Sequence, residues 1–515
     1  MTLQGLLDDL DRGAANKPQA PAFIDRHGRV VLTHGTLARR IDERAGALAA
    51  AGLVPGDRVA FGVRPTPDGF AWLLACFRAG LAVIVLDPGV GADLLVARCR
   101  AAGVSAVLID PVAHALSSGR LGRRLARTFG VGLPDPRRLD DRVLVTGPTF
   151  ARGVVRVDRL VQTAPRAGWA EEDAALVVFT SGTTGAPRGV VHTPRSIVAN
   201  VTAVRDLADL TPDARVFATA PNLVVPTLLA GASVVHAPRR AADLARITHS
   251  QAITHLSLAP HRAVEWAEAG GAPASLRRLF LGTAPSRAAA LRRILPALPA
   301  GAQTWGIYGL TEMLLVAAIR GEERCAHDER DGDLVGRPIA GARIRIAEDG
   351  EVRVAGPGLA RGYLGEPPID ELGSGDVGRL DGGRLVLLGR RKEMLIRRGE
   401  NIYPSLYEPA LVERAGLAEA ALVGVPDQLG DERAVLWVVP MPGERADAVV
   451  ARVERLLGGP DTPFDAHARP DTTLALDRLP RSGRSDKVDR RTLVTLAARR
   501  LGLADPSDPL MPEPR

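Results

Sequence analysis

The sequence predicts an α/β protein in which a parallel sheet is covered by helices on both faces. Apolar segments typical of buried strands alternate with helical patterns through the first 170 residues, and they resume at 175–180, 233–235 and 253–258. Strands that are apolar on both faces and separated by helices indicate a parallel, doubly covered sheet. After about residue 330 the pattern changes to short alternating strands with Gly turns. A chain of 515 residues is longer than a single hydrophobic core usually supports, so two or more domains are expected.

The first elements follow from hydrophobic spacing. Residues 36–51 have apolar side chains at helical spacing, and a Gly-Asp turn at 56–57 precedes an apolar strand at 58–63. A helix is predicted at 70–78 and a second apolar strand at 81–86. Later in the chain, residues 377–388 predict a hairpin that turns at Asp381-Gly382-Gly383.

Composition excludes several classes of protein. Three cysteines are widely spaced with no CxxC pair, which indicates neither a disulfide framework nor a zinc site. The most apolar stretch is too short to cross a membrane, and the N-terminus lacks the features of a secretory signal. A cytoplasmic protein is therefore expected. The net charge is +7, but the arginines are scattered among acids and the densest cluster, 120–127, has no aromatic residue for stacking. Nucleic acid is not an expected partner, whereas a polyanionic small ligand would benefit from this charge.

Lysine is rare in this chain. Lys17, Lys392 and Lys487 are the only lysines among 66 basic Lys and Arg residues. Where a plain positive charge suffices the chain uses arginine, so a retained lysine indicates a task that needs a compact ammonium. Lys17 lies in a polar stretch and is expected to be solvated, while Lys392 and Lys487 lie in segments that indicate chemistry.

A glycine- and hydroxyl-rich segment follows the strand predicted at 175–180. Glycines let a backbone turn sharply towards a ligand, and hydroxyls and amides donate to phosphate oxygens. The Gly-Lys-Ser/Thr end of a Walker loop is absent. A helix is predicted next, with Thr193 as its N-cap and Pro194 at its first position. Such a turn is also common as a purely structural element. The candidate phosphate-binding residues are Thr180, Ser181, Gly182, Thr183, Thr184, Gly185 and Arg188.

This segment, Thr180 to Gly189, resembles the signature loop of the adenylate-forming superfamily, which includes acyl- and aryl-CoA synthetases, adenylation domains and luciferases. Further motifs agree in order over roughly residues 30–495. Arg188 replaces the lysine that ends the family's loop, which preserves the charge against pyrophosphate and alters the geometry.

The resemblance implies a role for each further motif. Gly282, Thr283, Ala284 and Pro285 would form the adenine-binding turn. Tyr308 would stack on adenine, Thr311 would touch the α-phosphate and Glu312 would hold Mg²⁺. Asp376 would accept both ribose hydroxyls, with Arg390 also on the ribose and Lys392 at the interdomain hinge. Gly399, Glu400 and Asn401 would line the tunnel for the pantetheine arm of coenzyme A. Taken singly, Asp376 is also explained as a turn residue, and Glu312 and Arg390 as surface charges.

The segment from Leu479 to Arg490 resembles the family's last motif. Its lysine, here Lys487, would bridge the substrate carboxylate and the α-phosphate and cancel the repulsion between two anions. At roughly 4 Å and an effective dielectric near 20, one charge pair is worth about 4 kcal/mol, or about a thousandfold in rate. A solvated tail lysine is the alternative. Asp486 stands where the family commonly has glycine, so a chain that performs only the thioester-forming half, from acyl-AMP made elsewhere, is a further alternative.

The segment 217–235 falls where the family shapes its acyl pocket. It is apolar and lacks the aspartate of amino-acid-activating members. Apart from Phe217 at its start, it also lacks the histidine or aromatic residue usual in CoA ligases. An apolar or bulky aliphatic acid is therefore favoured over an amino acid, although core packing explains most of these residues equally well. The candidate lining residues are Pro221, Asn222, Leu223, Val224, Val225 and Met313.

The resemblance implies an ATP- and Mg²⁺-dependent acid–thiol ligase. A carrier-protein motif is absent after Lys487, so the acceptor would be separate, with free coenzyme A as the default and a discrete acyl carrier protein as the alternative. A β-lactone synthetase of the same superfamily and a non-catalytic homologue that binds acyl-adenylate remain rival readings.

The implied fold is a large N-terminal α/β domain at 1–391 with two doubly wound sheets and a small β-barrel. A smaller, mobile α+β domain would follow at 392–504. A disordered tail is expected at 505–515, which holds four prolines.

Overall fold

The computed structural model describes most of the chain, and its elements alternate as the sequence predicts. The described residues are 2–87, 92–118, 122, 133–149, 153–161, 168–180, 188–218, 220–236, 241–397, 400–426, 432–482 and 487–502. The helices are α1 (Leu3–Asn16), α2 (His34–Ala50), α3 (Pro67–Arg78), α4 (Ala92–Ala102), α5 (Pro111–Ser117), α6 (Pro194–Ala208), α7 (Pro221–Leu229), α8 (Ala241–Ser250), α9 (Pro260–Glu268), α10 (Ala288–Ile294), α11 (Gly321–Ala326), α12 (Pro404–Ala415), α13 (Ala446–Gly458) and α14 (Arg490–Arg500). The strands are β1 (Pro21–Ile24), β2 (Val30–Thr33), β3 (Arg58–Gly62), β4 (Ala82–Val85), β5 (Ala106–Ile109), β6 (Val143–Val145), β7 (Val155–Arg156), β8 (Leu176–Phe179), β9 (Gly189–His192), β10 (Arg215–Phe217), β11 (Ser233–Val235), β12 (His255–Leu258), β13 (Arg278–Leu281), β14 (Gln303–Tyr308), β15 (Ala317–Arg320), β16 (Asp333–Pro338), β17 (Arg343–Ile346), β18 (Glu351–Ala355), β19 (Gly362–Tyr363), β20 (Leu372–Asp381), β21 (Arg384–Arg390), β22 (Leu395–Arg397), β23 (Glu400–Ile402), β24 (Glu419–Pro426), β25 (Glu432–Val439), β26 (Thr472–Ala475), β27 (Arg481–Ser482) and β28 (Lys487–Val488).

The chain divides into two units. The first comprises residues 1–325, 337–343 and 354–372, and the second comprises 326–336, 344–353 and 373–515. A boundary at residue 391, which the resemblance implies, stays a prediction.

Two mainly parallel sheets form the first unit and confirm the predicted α/β class. One runs in the order β2-β1-β11-β10-β12-β13-β14-β15, with parallel pairing from β1 through β14. The other runs β19-β9-β8-β4-β3-β5-β6-β7, with parallel pairing from β8 through β7. Strand residues such as Val59, Ala60 and Val107 are fully buried, as expected for strands covered on both faces.

The predicted helices begin slightly earlier than their apolar pattern suggests, because threonine side chains cap them. Thr33 accepts a hydrogen bond from the Thr36 amide before α2. Thr66 accepts one from the Gly69 amide before α3. These caps satisfy backbone donors that have no intrahelical partner, so α2 starts two residues and α3 three residues ahead of the predictions at 36 and 70.

The helix after the phosphate loop forms as predicted. Thr193 caps α6 in a capping box with Ser196, and Pro194 occupies the first turn. The apolar side chains on one face of α6, Ile197 and Val201 among them, pack against the main core. This packing fixes the direction in which the chain leaves β9.

The second unit contains the predicted hairpin and an α+β region. Strands β20 and β21 pair antiparallel around the turn at Gly382-Gly383, and β21 also pairs with β16. Further along, β24, β25 and β26 form a three-stranded sheet. Alternate residues of β25 pack to opposite faces, Leu436 with the α12 and α13 cluster and Val435 with the α14 cluster. Within the described ranges, no helix combines the length and the apolar character that a membrane span requires.

Candidate active site

The ends of the predicted phosphate loop lie together in the first unit. Strands β8 and β9 pair antiparallel, and the Thr180 amide donates to the Arg188 carbonyl at 3.1 Å. Arg98 on α4 donates to the Thr180 carbonyl at 3.4 Å. The candidate residues between these ends, Ser181 to Gly185, lie outside the described residues. The structure therefore locates Thr180 and Arg188 and leaves the roles of the intervening positions as predictions.

Arg188 makes a two-point ion pair with Glu366. Nε donates to Oε1 at 3.2 Å, and Nη2 donates to Oε1 and Oε2 at 2.8 and 2.7 Å. The hydrogen bonds to Glu366 hold the pKa of Arg188 above its ordinary value. The guanidinium carbon lies 3.9 Å from the centre of the Tyr363 ring, a cation–π contact. Sequence reasoning identified Arg188 but neither of these partners.

Glu312 is oriented by the same tyrosine. The Tyr363 hydroxyl donates to Glu312 Oε1 at 2.8 Å. Burial, followed by this hydrogen bond to the carboxylate, raises the pKa of Tyr363, so the phenol stays protonated and remains a donor. We refer to Arg188, Glu312, Tyr363 and Glu366 as the Arg188 cluster.

Thr311 is held through its backbone by a buried histidine. The Thr311 carbonyl accepts from Nε2 of His192, which lies 2.9 Å away. The other ring nitrogen, Nδ1, lies 3.4 Å from the Ser196 hydroxyl at the start of α6. Burial lowers the pKa of His192, so the neutral ring donates through Nε2. His192 thereby ties the turn that carries Thr311 and Glu312 to the end of β9.

A close backbone approach explains the glycine of the Tyr308–Glu312 segment. Tyr308 ends β14 and is buried. A Cβ atom at Gly309 would lie 1.8 Å from the Leu314 carbonyl oxygen, which only a glycine avoids. The turn is closed by two hydrogen bonds between Leu310 and Met313. Glycine at 309 is thus a structural requirement for presenting Thr311 and Glu312.

The predicted adenine-binding turn carries backbone strain. Thr283 adopts φ of +68°, a left-handed conformation that is costly for a β-branched residue. The side chains from Thr283 to Pro285 are exposed. Ala284 and Pro285 border a cleft of about 520 Å³ that is also lined by residues of α9 and α10. This arrangement leaves the turn accessible to a ligand.

The predicted ribose-binding pair is assembled in the second unit. Asp376 and Arg390 are cross-strand partners on β20 and β21, and Arg390 Nε lies 2.9 Å from Asp376 Oδ1. The Asp376 side chain is 4% exposed, whereas that of Arg390 is 50% exposed. Glu351, which the sequence did not single out, accepts the Gly375 amide at 3.1 Å and shapes the preceding loop.

The remaining predicted residues of the second unit lie on exposed segments. Lys392 lies in a 3₁₀ turn, Arg391–Glu393, and Lys487 opens β28, opposite Ser482 of β27. Glu400 and Asn401 lie exposed on β23. Gly399 and Asp486 lie outside the described residues.

The candidate acyl-pocket residues divide between surface and core. Pro221 and Asn222 are exposed at the start of α7, whereas Leu223 to Val225 belong to the main hydrophobic core and Val224 is fully buried. Met313 is 1% exposed. The lining role of these residues stays a prediction.

The donor set at Glu312 fits a magnesium ion held jointly with a substrate. In the part of the chain that the structure describes, no group of three or more His, Cys, Asp or Glu side chains is placed to hold a metal ion. Glu312 has one carboxylate oxygen engaged by Tyr363, which leaves Oε2 as a ligand atom. Because Mg²⁺ is commonly bound through one or two carboxylates plus substrate phosphates, a single glutamate is compatible with this mode.

Comparison with known proteins covers nearly the whole chain. The sequence model of the AMP-binding enzyme family matches residues 10–364, and that of its C-terminal domain matches 407–487. The feruloyl-CoA synthase of an Amycolatopsis species is 30% identical over 94% of this chain and 97% of its own length. The olefin β-lactone synthetase of Xanthomonas campestris is 28% identical over 88% of this chain and 90% of its own length.

The solved structures agree on the fold. The amide bond synthetase McbA of Marinactinospora thermotolerans superposes with a TM-score of 0.78 at 24% identity, covering 96% of this chain and all of that one. That likeness shows the fold, whereas the extent of the family-model match establishes the family. The chain belongs to the AMP-binding enzymes, the adenylate-forming family that contains the acyl- and aryl-CoA ligases.

Proposed function

We propose that this chain is an acid–thiol ligase that activates an apolar carboxylic acid with ATP and transfers the acyl group to coenzyme A. The observation that carries the proposal is the Arg188 cluster. In it, one tyrosine contacts a cation from the end of the phosphate loop through its ring and the candidate metal ligand Glu312 through its hydroxyl, with Thr311 next to Glu312. This is the arrangement that a triphosphate with a bound divalent cation requires, because both positive and metal-binding groups must meet the phosphate chain.

In the first step the carboxylate attacks the α-phosphorus of ATP, and pyrophosphate leaves. Lys487 would cancel the repulsion between the two anions, Arg188 would bind the departing pyrophosphate and Asp376 would orient the ribose. When bound at Glu312, Mg²⁺ would supply further neutralisation of the phosphate charge. Two observations support the roles of Arg188 and Asp376. The guanidinium of Arg188 is held by hydrogen bonds, and the carboxylate of Asp376 is buried and paired.

In the second step the thiol attacks the acyl carbon and AMP leaves. The C-terminal region is proposed to move about Lys392 between the two steps. That movement would withdraw Lys487 from the reacting groups and bring the segment from Gly399 to Asn401 to them. Free coenzyme A is the proposed acceptor, and the feruloyl-CoA synthase relative supports a CoA thioester as the product.

The substrate is proposed to be an apolar acid. The chain offers no carboxylate between Phe217 and Val235 to bind an α-amino group, and the candidate lining residues Leu223 to Val225 are hydrocarbon. A pocket of this composition would bind an alkyl or aryl chain through burial of apolar surface.

A β-lactone synthetase is the second candidate, supported by the 28% identical olefin β-lactone synthetase. Such an enzyme would adenylate a β-hydroxy acid, and the hydroxyl oxygen would displace AMP within the same molecule. The candidate acyl pocket lacks the histidine or aromatic residue usual in CoA ligases, and this difference is the sequence feature that supports the second candidate.

Mass spectrometry of the products separates these functions. The full chain is incubated with ATP, Mg²⁺ and a panel of carboxylic and β-hydroxy acids, with and without coenzyme A, and in parallel with synthetic acyl-AMP and coenzyme A. A thioester that requires both ATP and coenzyme A supports the proposal. A lactone formed without coenzyme A identifies the second candidate, and a thioester formed only from supplied acyl-AMP identifies an enzyme of the second half-reaction alone. No product under any condition identifies a non-catalytic homologue.

A further inference from the structure

Arg188 binds Glu366 with only one edge of its guanidinium group. Nε and Nη2 make all three of the hydrogen bonds to the carboxylate, and Nη1 donates to none of the described residues. A guanidinium group carries five N–H donors in one rigid plane. The pairing therefore leaves the Nη1 hydrogens available to a second anion while Glu366 stays bound.

Tyr363 restricts the same guanidinium from another direction. The centre of its ring lies 3.9 Å from the guanidinium carbon of Arg188, and its hydroxyl donates a hydrogen bond to Glu312. The Arg188 side chain is nevertheless 48% exposed to solvent. Solvent, and hence a soluble ligand, reaches a group whose position is already defined.

We propose that Glu366 and Tyr363 are positioning residues that hold Arg188 for an oligophosphate, with Glu366 on one edge of the guanidinium and the phosphate on the other. The inference rests on the proposed function, since ATP and pyrophosphate are the ligands in question. A free arginine side chain must lose considerable rotamer freedom when it binds a phosphate. An arginine that is restrained beforehand loses less, and the ligand binds more tightly.

The same geometry accounts for arginine at this position instead of the family's lysine. An ammonium group is a compact point charge without two distinct planar edges. A lysine at position 188 would have to share one centre between Glu366 and the phosphate. Arginine serves both anions at once.

The negative charge of Glu366 also has an effect of the opposite sign on phosphate binding. A carboxylate near the ligand repels phosphate oxygens through the Coulomb interaction. If that repulsion outweighed the restraint, Glu366 would be a competitor for Arg188, and removing its charge would tighten binding. The two effects thus predict changes of opposite sign for the same substitution.

Isothermal titration calorimetry of the full chain distinguishes them. Inorganic pyrophosphate and ATP are titrated separately, with Mg²⁺, into the wild type, Glu366→Gln, Arg188→Lys and the double variant. We expect Glu366→Gln to weaken pyrophosphate binding about tenfold, and Arg188→Lys to weaken it similarly. The double variant should bind no more weakly than Arg188→Lys alone, because coupled residues are not additive.

The second unit offers a matched control for the loss of one carboxylate charge. Glu444 makes the same kind of two-point pair with Arg452, at 2.6 and 2.9 Å and with 33% of the Glu444 side chain exposed. Glu444→Gln should leave both affinities unchanged. Tyr363→Phe keeps the ring against Arg188 and removes the hydrogen bond to Glu312. It should reduce the gain in pyrophosphate affinity that Mg²⁺ produces.

The affinities measured for the wild type and for Glu366→Gln decide between the inference and its refutation. Equal or tighter pyrophosphate binding by Glu366→Gln, with a wild type that binds normally, overturns the inference alone. A wild type that binds neither ATP nor pyrophosphate refutes the proposed function, and the inference with it. If thermal denaturation shows that Glu366→Gln is unfolded, Glu366→Asp takes its place. Its retained but shorter carboxylate should weaken binding less than tenfold, and wild-type or tighter affinity would overturn the inference.

Discussion

Substituting Gly309 by alanine tests whether the turn that carries Thr311 and Glu312 depends on a close backbone approach. The added Cβ would lie 1.8 Å from the Leu314 carbonyl oxygen, where real Cβ atoms essentially never come within 3.0 Å. The obstacle is backbone, which no side-chain rotation relieves. The turn from Leu310 to Met313 must therefore move by about an ångström or more. We expect the free energy of unfolding to fall by about 2 kcal/mol, the usual cost of overpacking.

The displacement should also weaken binding of ATP with Mg²⁺, because Glu312 would leave the Tyr363 hydroxyl. Urea unfolding followed by circular dichroism measures the first effect, and calorimetry measures the second. Gly13→Ala is the matched control, since no atom other than the neighbouring residues and the backbone of its own helix lies within 4 Å of a Cβ at that position. Alanine there should be neutral or slightly stabilising. An ordinary surface substitution changes the free energy of unfolding by about 0.5 kcal/mol or less. If Gly309→Ala stays within that range of the wild type and binds ATP normally, the proposed constraint on the backbone is wrong.

Three further outcomes are expected. Lys487→Ala should abolish acyl-AMP formation from ATP but spare thioester formation from supplied acyl-AMP, because only the first step joins two anions; an equal loss of both half-reactions in a folded variant would contradict this role. Gly399→Leu should lose thioester formation and retain adenylation, as the implied tunnel predicts, and unchanged coenzyme A kinetics would argue against the tunnel. Burial lowers the pKa of His255 to about 4, so below about pH 6.5 the unfolded chain takes up a proton that the native chain does not. Protonation linked to His255 alone should therefore lower the free energy of unfolding by up to about 3 kcal/mol between pH 7 and pH 4, and His255→Gln should show a correspondingly smaller drop in urea titrations across that range.

Local patterns in the sequence predicted the elements that depend on neighbouring residues. The cap of α6 needs only Thr193 and Ser196, three positions apart, and it forms as expected. The hairpin of β20 and β21 follows from the glycines at 382 and 383, whose φ values of 55° and 76° suit a tight turn. Helix starts were less predictable, because a capping threonine extends a helix beyond the apolar pattern that reveals it.

The candidate site likewise contains residues that local sequence motifs indicated and partner residues that they did not. Motif order pointed to Arg188, Glu312 and Asp376, since each lies in a short segment with a recognisable composition. The partners of these residues had no such signal. Tyr363 and Glu366 follow an unremarkable Arg-Gly pair, and His192 reads equally well as a core histidine.

What the sequence determined by itself was the family, the α/β class and the identity of the candidate reacting groups. Only the tertiary structure decided how those groups are held. Arg188 and Glu366 are 178 positions apart, His192 and Thr311 are 119 apart, and Glu312 and Tyr363 are 51 apart. The physical reason is that a local motif specifies the chemistry of a side chain, whereas its position depends on which distant strands the sheet order brings together. Arginine in place of lysine at position 188 is explained at that second level, by the carboxylate and the aromatic ring that the fold sets against it.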